Sequence, residues 1–165
     1  MMDKYANFYK TILFPASKGK DLTQVKYVFP GGLHGKINIV VLAFTRKQQK
    51  SLKGWITHFK KLRKTYKGLD YGLLPMMASV PGFVMYFIVR GMRKMYKNLN
   101  DRQRMILVYT KKTVFIKSLN IFDTNRINVF LIDKKGRIFW RTRGKISPSS
   151  KKSLQLVLDK IYHKP

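Results

Sequence analysis

The chain has no cysteine and no glutamate. Without cysteine there can be no disulfide scaffold, thiol catalysis, iron–sulfur cluster or cysteine-based zinc site. The compartment is also unreadable from redox chemistry. Without glutamate, the acids are seven aspartates against thirty-five Lys and Arg, a formal net charge of +28. An AT-rich genome would enrich Lys, Asn, Ile and Tyr, but Glu codons are AT-rich too, so the missing Glu points to selection against negative charge. Self-repulsion of this size weakens an isolated fold, so a polyanion is expected to offset it. RNA, DNA and an anionic membrane surface are the candidates. The bland alternative is a solvated cationic surface kept for solubility.

Other signals are missing as well. No basic stretch followed by an uninterrupted apolar core opens the chain, so no secretory signal is expected; an organellar presequence would be absent or already removed. Residues 72–92 are apolar for about the length of a membrane span, which needs roughly 20 such residues. Pro75 and Pro81 interrupt them, and only Gly82 to Val89 is unbroken. A strand, a loop and a helix beginning at Pro81 are expected instead. His34, His58 and His163 lack ligand-like spacing, so no metal site is expected. The aspartates form no obvious carboxylate pair. Gly31-Gly32-Leu33-His34-Gly35 lacks the Gly-Lys-Ser/Thr ending of a phosphate loop and reads as a connection between strands. No serine or threonine sits in a nucleophile elbow, and no cofactor is implied.

The 165 residues fit one domain, and 45% are apolar, enough for a core. Residues 1–20 read as an N-terminal arm, amphipathic or a short docked helix, with a flexible break at Ser17 to Lys20. Residues 21–165 read as the domain. Val25 to Pro30 suggests a short strand running into a glycine turn. Lys36 to Phe44 is a near-continuous β-branched run, the mark of a strand buried on both faces. In residues 46–67, Leu52, Trp55, Ile56, Phe59 and Leu62 form one apolar helical stripe. Around it stand Arg46, Lys47, Lys50, Lys53, Lys60, Lys61, Arg63, Lys64 and Lys67, with no acid. This basic face is the candidate polyanion-binding surface; an ordinary exposed face is the alternative.

Leu69 to Pro75 and Arg104 to Thr110 read as strands. Met76, Met77, Met85, Met92 and Met95 read as adaptable core. Residues 111–119 read as a short helix with Val114, Phe115 and Leu119 inward. Ser147-Pro148 marks the start of a terminal helix buried along Leu154, Val157, Leu158 and Ile161. Between these helices lie two apolar runs around Asp133-Lys134-Lys135-Gly136, a hairpin signal. Leu131, Ile132, Ile138 and Trp140 give it a face to bury, and Asp133 reads as an Asx-turn former.

Val129-Phe-Leu-Ile-Asp-Lys-Lys-Gly-Arg-Ile-Phe-Trp140 followed by Gly144 resembles the ending of thioredoxin-like redoxins. It is especially similar to the mitochondrial ATP synthase assembly factor family, redoxin-like chaperones of the membrane-sector subunit a. Asp133, Gly136, Arg137, Trp140 and Gly144 carry the motif; Met92-Arg93-Lys94, Arg102, Leu119 and Asn125 also fall where the family pattern leads one to expect similar residues. The resemblance implies an α/β fold, a thioredoxin-like mixed sheet flanked by helices, with a C-terminal β-hairpin and helix. A catalytic redoxin would place cysteine just after Phe44, where this chain has Thr45-Arg46-Lys47-Gln48, and a cis-proline before Val129, where it has Asn125 to Asn128. Thiol–disulfide exchange is therefore excluded.

Two functions follow as expectations. The first is a non-catalytic binding or assembly protein whose partner is a protein client or large complex; by resemblance this is the ATP synthase membrane sector, at the matrix face of the mitochondrial inner membrane. Outside a eukaryote the expected place is the cytoplasm. The second is a basic RNA-binding protein, part of a ribosome or associated with one. It is supported by the charge and by aromatics such as Tyr66, Tyr86, Tyr96, Phe139 and Trp140 among cations. An anionic membrane surface, met through the basic helix and residues 76–95, is a third partner.

Overall fold

The structure is a computed structural model that describes residues 12–77 and 79–163. Its centre is a four-stranded sheet. β3 (Ile37–Ala43) lies inside it, parallel to β4 (Leu69–Pro75) and antiparallel to β6 (Asn128–Asp133), with β7 (Ile138–Arg143) at the edge beyond β6. Side chains alternate across a strand, so β3 feeds two cores. Ile39 and Val41 join one with Trp55 and Phe59; Val40 and Leu42 join the other with Phe14, Phe29 and Phe115.

The first core is covered by α1 (Gln49–Thr65), α2 (Gly82–Met95) and α5 (Pro148–Tyr162). Along α1, Leu52, Trp55, Phe59 and Leu62 are buried and Ile56 is half-buried, as the stripe predicts. α5 starts at a capping box. Ser147 Oγ accepts from Ser150 N at 3.1 Å, and Ser150 Oγ accepts from Ser147 N at 2.9 Å. The second core is covered by α4 (Lys112–Ser118) and by a small antiparallel sheet of β2 (Lys26–Phe29), β1 (Ser17–Asp21) and β5 (Ile106–Val108). A six-residue α3 (Leu99–Arg104) precedes β5.

The hairpin turn forms as its sequence dictates. Asp133 Oδ1 accepts from Lys135 N at 2.9 Å and Arg137 N at 3.0 Å, and Arg137 Nε donates to Oδ2 at 2.6 Å. Gly136 has φ +83, and a Cβ there would lie 2.9 Å from the Phe14 carbonyl oxygen. Burial alone would push the Asp133 carboxyl up, but the Arg137 guanidinium and the two backbone N–H donors outweigh it and hold it below the usual carboxylate range. The folded pKa thus lies below the unfolded one. The stabilisation is full above the ordinary carboxylate pKa and disappears as pH falls through the folded value, so the turn weakens below about pH 4. Urea unfolding across an acid series should show this limb, and Asp133→Asn should flatten it. An acid limb unchanged in that variant would place its origin elsewhere.

Five expectations are corrected. Ser17 to Lys20 is strand β1, not a flexible break: it pairs with a strand on each side, and Gly19 lets β5 approach so closely that a Cβ would sit 2.5 Å from the Leu107 carbonyl oxygen. The strand expected over residues 104–110 shrinks to β5, because Arg104 ends α3 and is drawn inward by Asp70. Val114 is 42% exposed, since Phe115, Ile116 and Leu119 are the residues of that helix turn that meet the core. Leu131, Ile132, Ile138 and Trp140 do not share a face: a register shift between Leu131 and Ile132 leaves Leu131 and Trp140 on the first core, and Ile132 and Ile138 on the second. Met95 lies exposed rather than in the core, with Met77, Met85 and Met92 only partly covered. The N-terminal arm falls mostly outside the described residues; within them, Phe14 N donates to Gly136 O at 2.8 Å and docks the chain on the hairpin turn.

Candidate functional site

The site lies where the sheet ends and the chain turns back. After β3, Phe44 and Thr45 lead into a 3-10 turn, Arg46–Gln48, and then α1. Buried Gln48 staples this turn, its Oε1 accepting from Phe44 N at 2.7 Å and its Nε2 donating to Thr124 O at 2.8 Å. After β4, Met76 and Met77 lead to α2, which folds over the strand ends without closing on them. Only Val89 of α2 is fully buried. The space beneath is a groove of about 720 Å³. Its walls are Leu52, Leu73, Val84, Ile88, Met92 and Met105, with Arg46 and Lys112 the charged residues of its lining. Volume and apolar character match those of a ligand site.

Arginines fix the far end of α2. Arg93 Nε donates to Leu22 O at 2.7 Å, while Arg102 donates to Tyr96 O at 2.6 Å and to Arg93 O at 2.9 Å. Behind them, Arg104 grips Asp70 through two bonds, Nε to Oδ1 at 2.8 Å and a second guanidinium nitrogen to Oδ2 at 3.0 Å. Arg104 is buried, and Arg63 adds an ion pair to the same carboxylate at 3.2 Å. One wall of the groove is therefore held at its C-terminal end by these arginine bonds, while its N-terminal end meets the first core through the partly buried Met85.

The nine cations of the basic helix divide. Arg46 joins the groove lining. Lys60 pairs with Asp101 at 2.8 Å and Arg63 with Asp70. Lys47, Lys50, Lys53, Lys61, Lys64 and Lys67 are exposed. Lys64 and Lys67 border a second, shallower recess of about 670 Å³ with His34, Asn98 and Asn100. His34 Nε2 lies 3.0 Å from the Tyr27 hydroxyl. Burial, then Lys151 and Lys61, push the half-buried His58 below the usual histidine range. No cluster of three metal-ligating side chains occurs among the described residues, nor is any described helix long and apolar enough to cross a membrane.

Residues 3–161 match the family described as ATP10 protein. The chain belongs to the ATP10 protein family. No curated protein matches it in sequence. Among solved structures it is similar to a candidate electron transfer protein from Aquifex aeolicus VF5, at TM-score 0.67 and 12% identity over 93% of this chain and 99% of that one. It is also similar to a thiol:disulfide interchange protein from Bacteroides sp., at TM-score 0.60 and 16% identity over 92% and 89%. A third likeness is the thioredoxin domain of a thiol-disulfide oxidoreductase from Bacteroides vulgatus, at TM-score 0.57 and 18% identity over 92% and 96%. At such identities the likeness shows the fold, which is thioredoxin-like.

The five residues expected to carry the family motif serve the framework of this ATP10 family chain. Asp133, Gly136 and Arg137 make the hairpin turn. Trp140 Nε1 donates to Ser153 Oγ at 3.0 Å and so fastens α5 to β7. Gly144, at φ +86, offers its carbonyl to Trp55 Nε1 at 3.0 Å. None of the five lines the groove. The groove residues themselves were missed from sequence. Their signal was the unbroken apolar run from Phe83 to Val89, which gives a helix apolar on every side with too little protein to cover it.

Proposed function

We propose that this protein is a non-catalytic assembly factor for the mitochondrial ATP synthase, acting on a membrane-sector subunit from the matrix side of the inner membrane. The groove holds an apolar segment of that client. The observation that carries this reading is an open apolar groove at the ends of β3 and β4, in a cysteine-free, thioredoxin-like member of the ATP10 protein family. The turn that would bear a redoxin's thiols here carries a glutamine staple instead, so the strand ends are left for binding. Methionine walls suit a client whose side chains vary, because the unbranched thioether repacks at low cost. The exposed lysines of α1 favour an anionic partner in addition.

Affinity purification from native cells, with and without nuclease, tests the assignment. A membrane-sector ATP synthase subunit should be recovered in both preparations. Recovery of ribosomal RNA that nuclease abolishes, with no ATP synthase subunit, would sink the assembly-factor reading and favour RNA binding through α1.

A further inference from the structure

The outer side of α2 carries an aromatic ridge that only Phe87 shares with the groove lining. Phe83, Tyr86 and Phe87 are 70%, 61% and 63% exposed. Tyr86 and Phe87 pack edge to face at 5.6 Å, and Phe83 and Tyr86 do not line the groove. At helical spacing these three fall on one face with Arg90 and Lys94, both exposed. Phe83 precedes Arg90 by seven residues, as Phe87 precedes Lys94, so the aromatics stand about 10 Å ahead of the cations along the axis. No acid occurs between Asp70 and Asp101. The aromatic end is the N-terminal end of α2; the cationic end is the one that Arg93 and Arg102 clamp to the body.

We propose that α2 is a membrane-docking element, whose aromatic tip enters the interface of an anionic bilayer while Arg90 and Lys94 meet the lipid phosphates. A convex aromatic ridge makes a poor seat for a rigid partner, but a lipid interface deforms around it, and aromatic rings settle at the headgroup boundary. The offset of about 10 Å matches the depth to which an interfacial helix buries its apolar part. Charge complementarity selects anionic over neutral lipid. Docked in this way, α2 brings the groove it walls to the membrane surface.

Sedimentation with vesicles tests the proposal on the full chain. The protein should bind vesicles of equal parts phosphatidylcholine and phosphatidylglycerol and fail to bind pure phosphatidylcholine. Phe83→Ser with Tyr86→Ser, neither of which lines the groove, should weaken binding about tenfold or more, and Arg90→Gln with Lys94→Gln by about thirtyfold. Lys53→Gln with Lys61→Gln on α1 should lose less than either. Since the chain has no cysteine, Phe83→Cys accepts a single environment-sensitive fluorophore. Its emission should shift to the blue on anionic vesicles, while the same label at Lys152→Cys should not shift. Undiminished binding by the serine variant, or equal shifts at both labels, would overturn the proposal and reduce the attraction to diffuse charge. Normal vesicle binding by the serine variant with loss of ATP synthase subunit recovery would overturn it too, making the ridge a client contact.

Discussion

Arg104→Met is expected to destabilise the protein by about 3 kcal/mol, at the lower end of the cost of orphaning one member of a buried ion pair. Arg104 supplies both arms of a fork to Asp70 and lies over the Tyr71 ring, its guanidinium carbon 5.3 Å from the centroid. A third bond, to Asn100 O at 2.8 Å, ties α3 to the same point. Methionine fills much of the volume and abolishes the charge. Asp70 Oδ1 would keep Tyr71 N at 2.8 Å and Arg63 at 3.2 Å, but Oδ2 would lose its Arg104 partner in a buried site. The residual pairing by Arg63 is why the lower end of the range applies. Asp70→Leu alone should cost at least as much, since it strands Arg104. The double variant Asp70→Leu/Arg104→Met should be more stable than either single one, because the interaction leaves together with its desolvation cost. Urea midpoints for the four proteins decide this. A cost under about 1 kcal/mol for Arg104→Met would mean that the pair behaves as if it were in water.

That ion pair also marks the boundary of what the sequence could tell. Periodicity found α1, β3, β4, the start of α2 and the capped α5, because each buries a stripe or a run whose period declares it. The hairpin was legible down to Asp133 and Gly136, because turn chemistry is local. What pairs across long separations was not. Nothing around residue 104 announces a partner at 70, so Arg104 passed for the first residue of a strand. Ser17 to Lys20 looked like a linker because a strand whose side chains are small or polar is defined by its neighbours, not by its own composition. The candidate site was half legible. The basic face of α1 was visible as a run of like charge, although Lys60 and Arg63 are taken up by Asp101 and Asp70. The groove was not, because residues lining a cavity and residues filling a core share one alphabet; only the placement of α2, which buries Val89 alone and leaves a groove beneath it, separates them.

Val84→Asp with Ile88→Asp is expected to abolish recovery of the ATP synthase client, a loss of about tenfold or more, while changing the protein's own stability by less than about 1 kcal/mol. The two residues stand one turn apart on α2 and line the groove, yet both are only half-buried and neither packs against the first core. In the free protein the new carboxylates can therefore stay in water. On binding, an apolar client segment would have to strip that water away, and Arg46 and Lys112 are the only cations among the described lining residues to set against the two new carboxylates. The reverse change is the control. Val84→Met with Ile88→Met keeps the walls apolar and adaptable, so client recovery should stay within about threefold of the parent. Lys53→Gln with Lys61→Gln, on the exposed face of α1, should leave it unchanged if the groove is the client site. Three results read together separate the possibilities. Loss in the aspartate variant alone places the client in the groove. Loss in the lysine variant alone moves the contact to α1. Equal loss in the aspartate and methionine variants would mean that the shape of α2, not the groove's apolar surface, is what the client recognises, and the groove assignment would then fail.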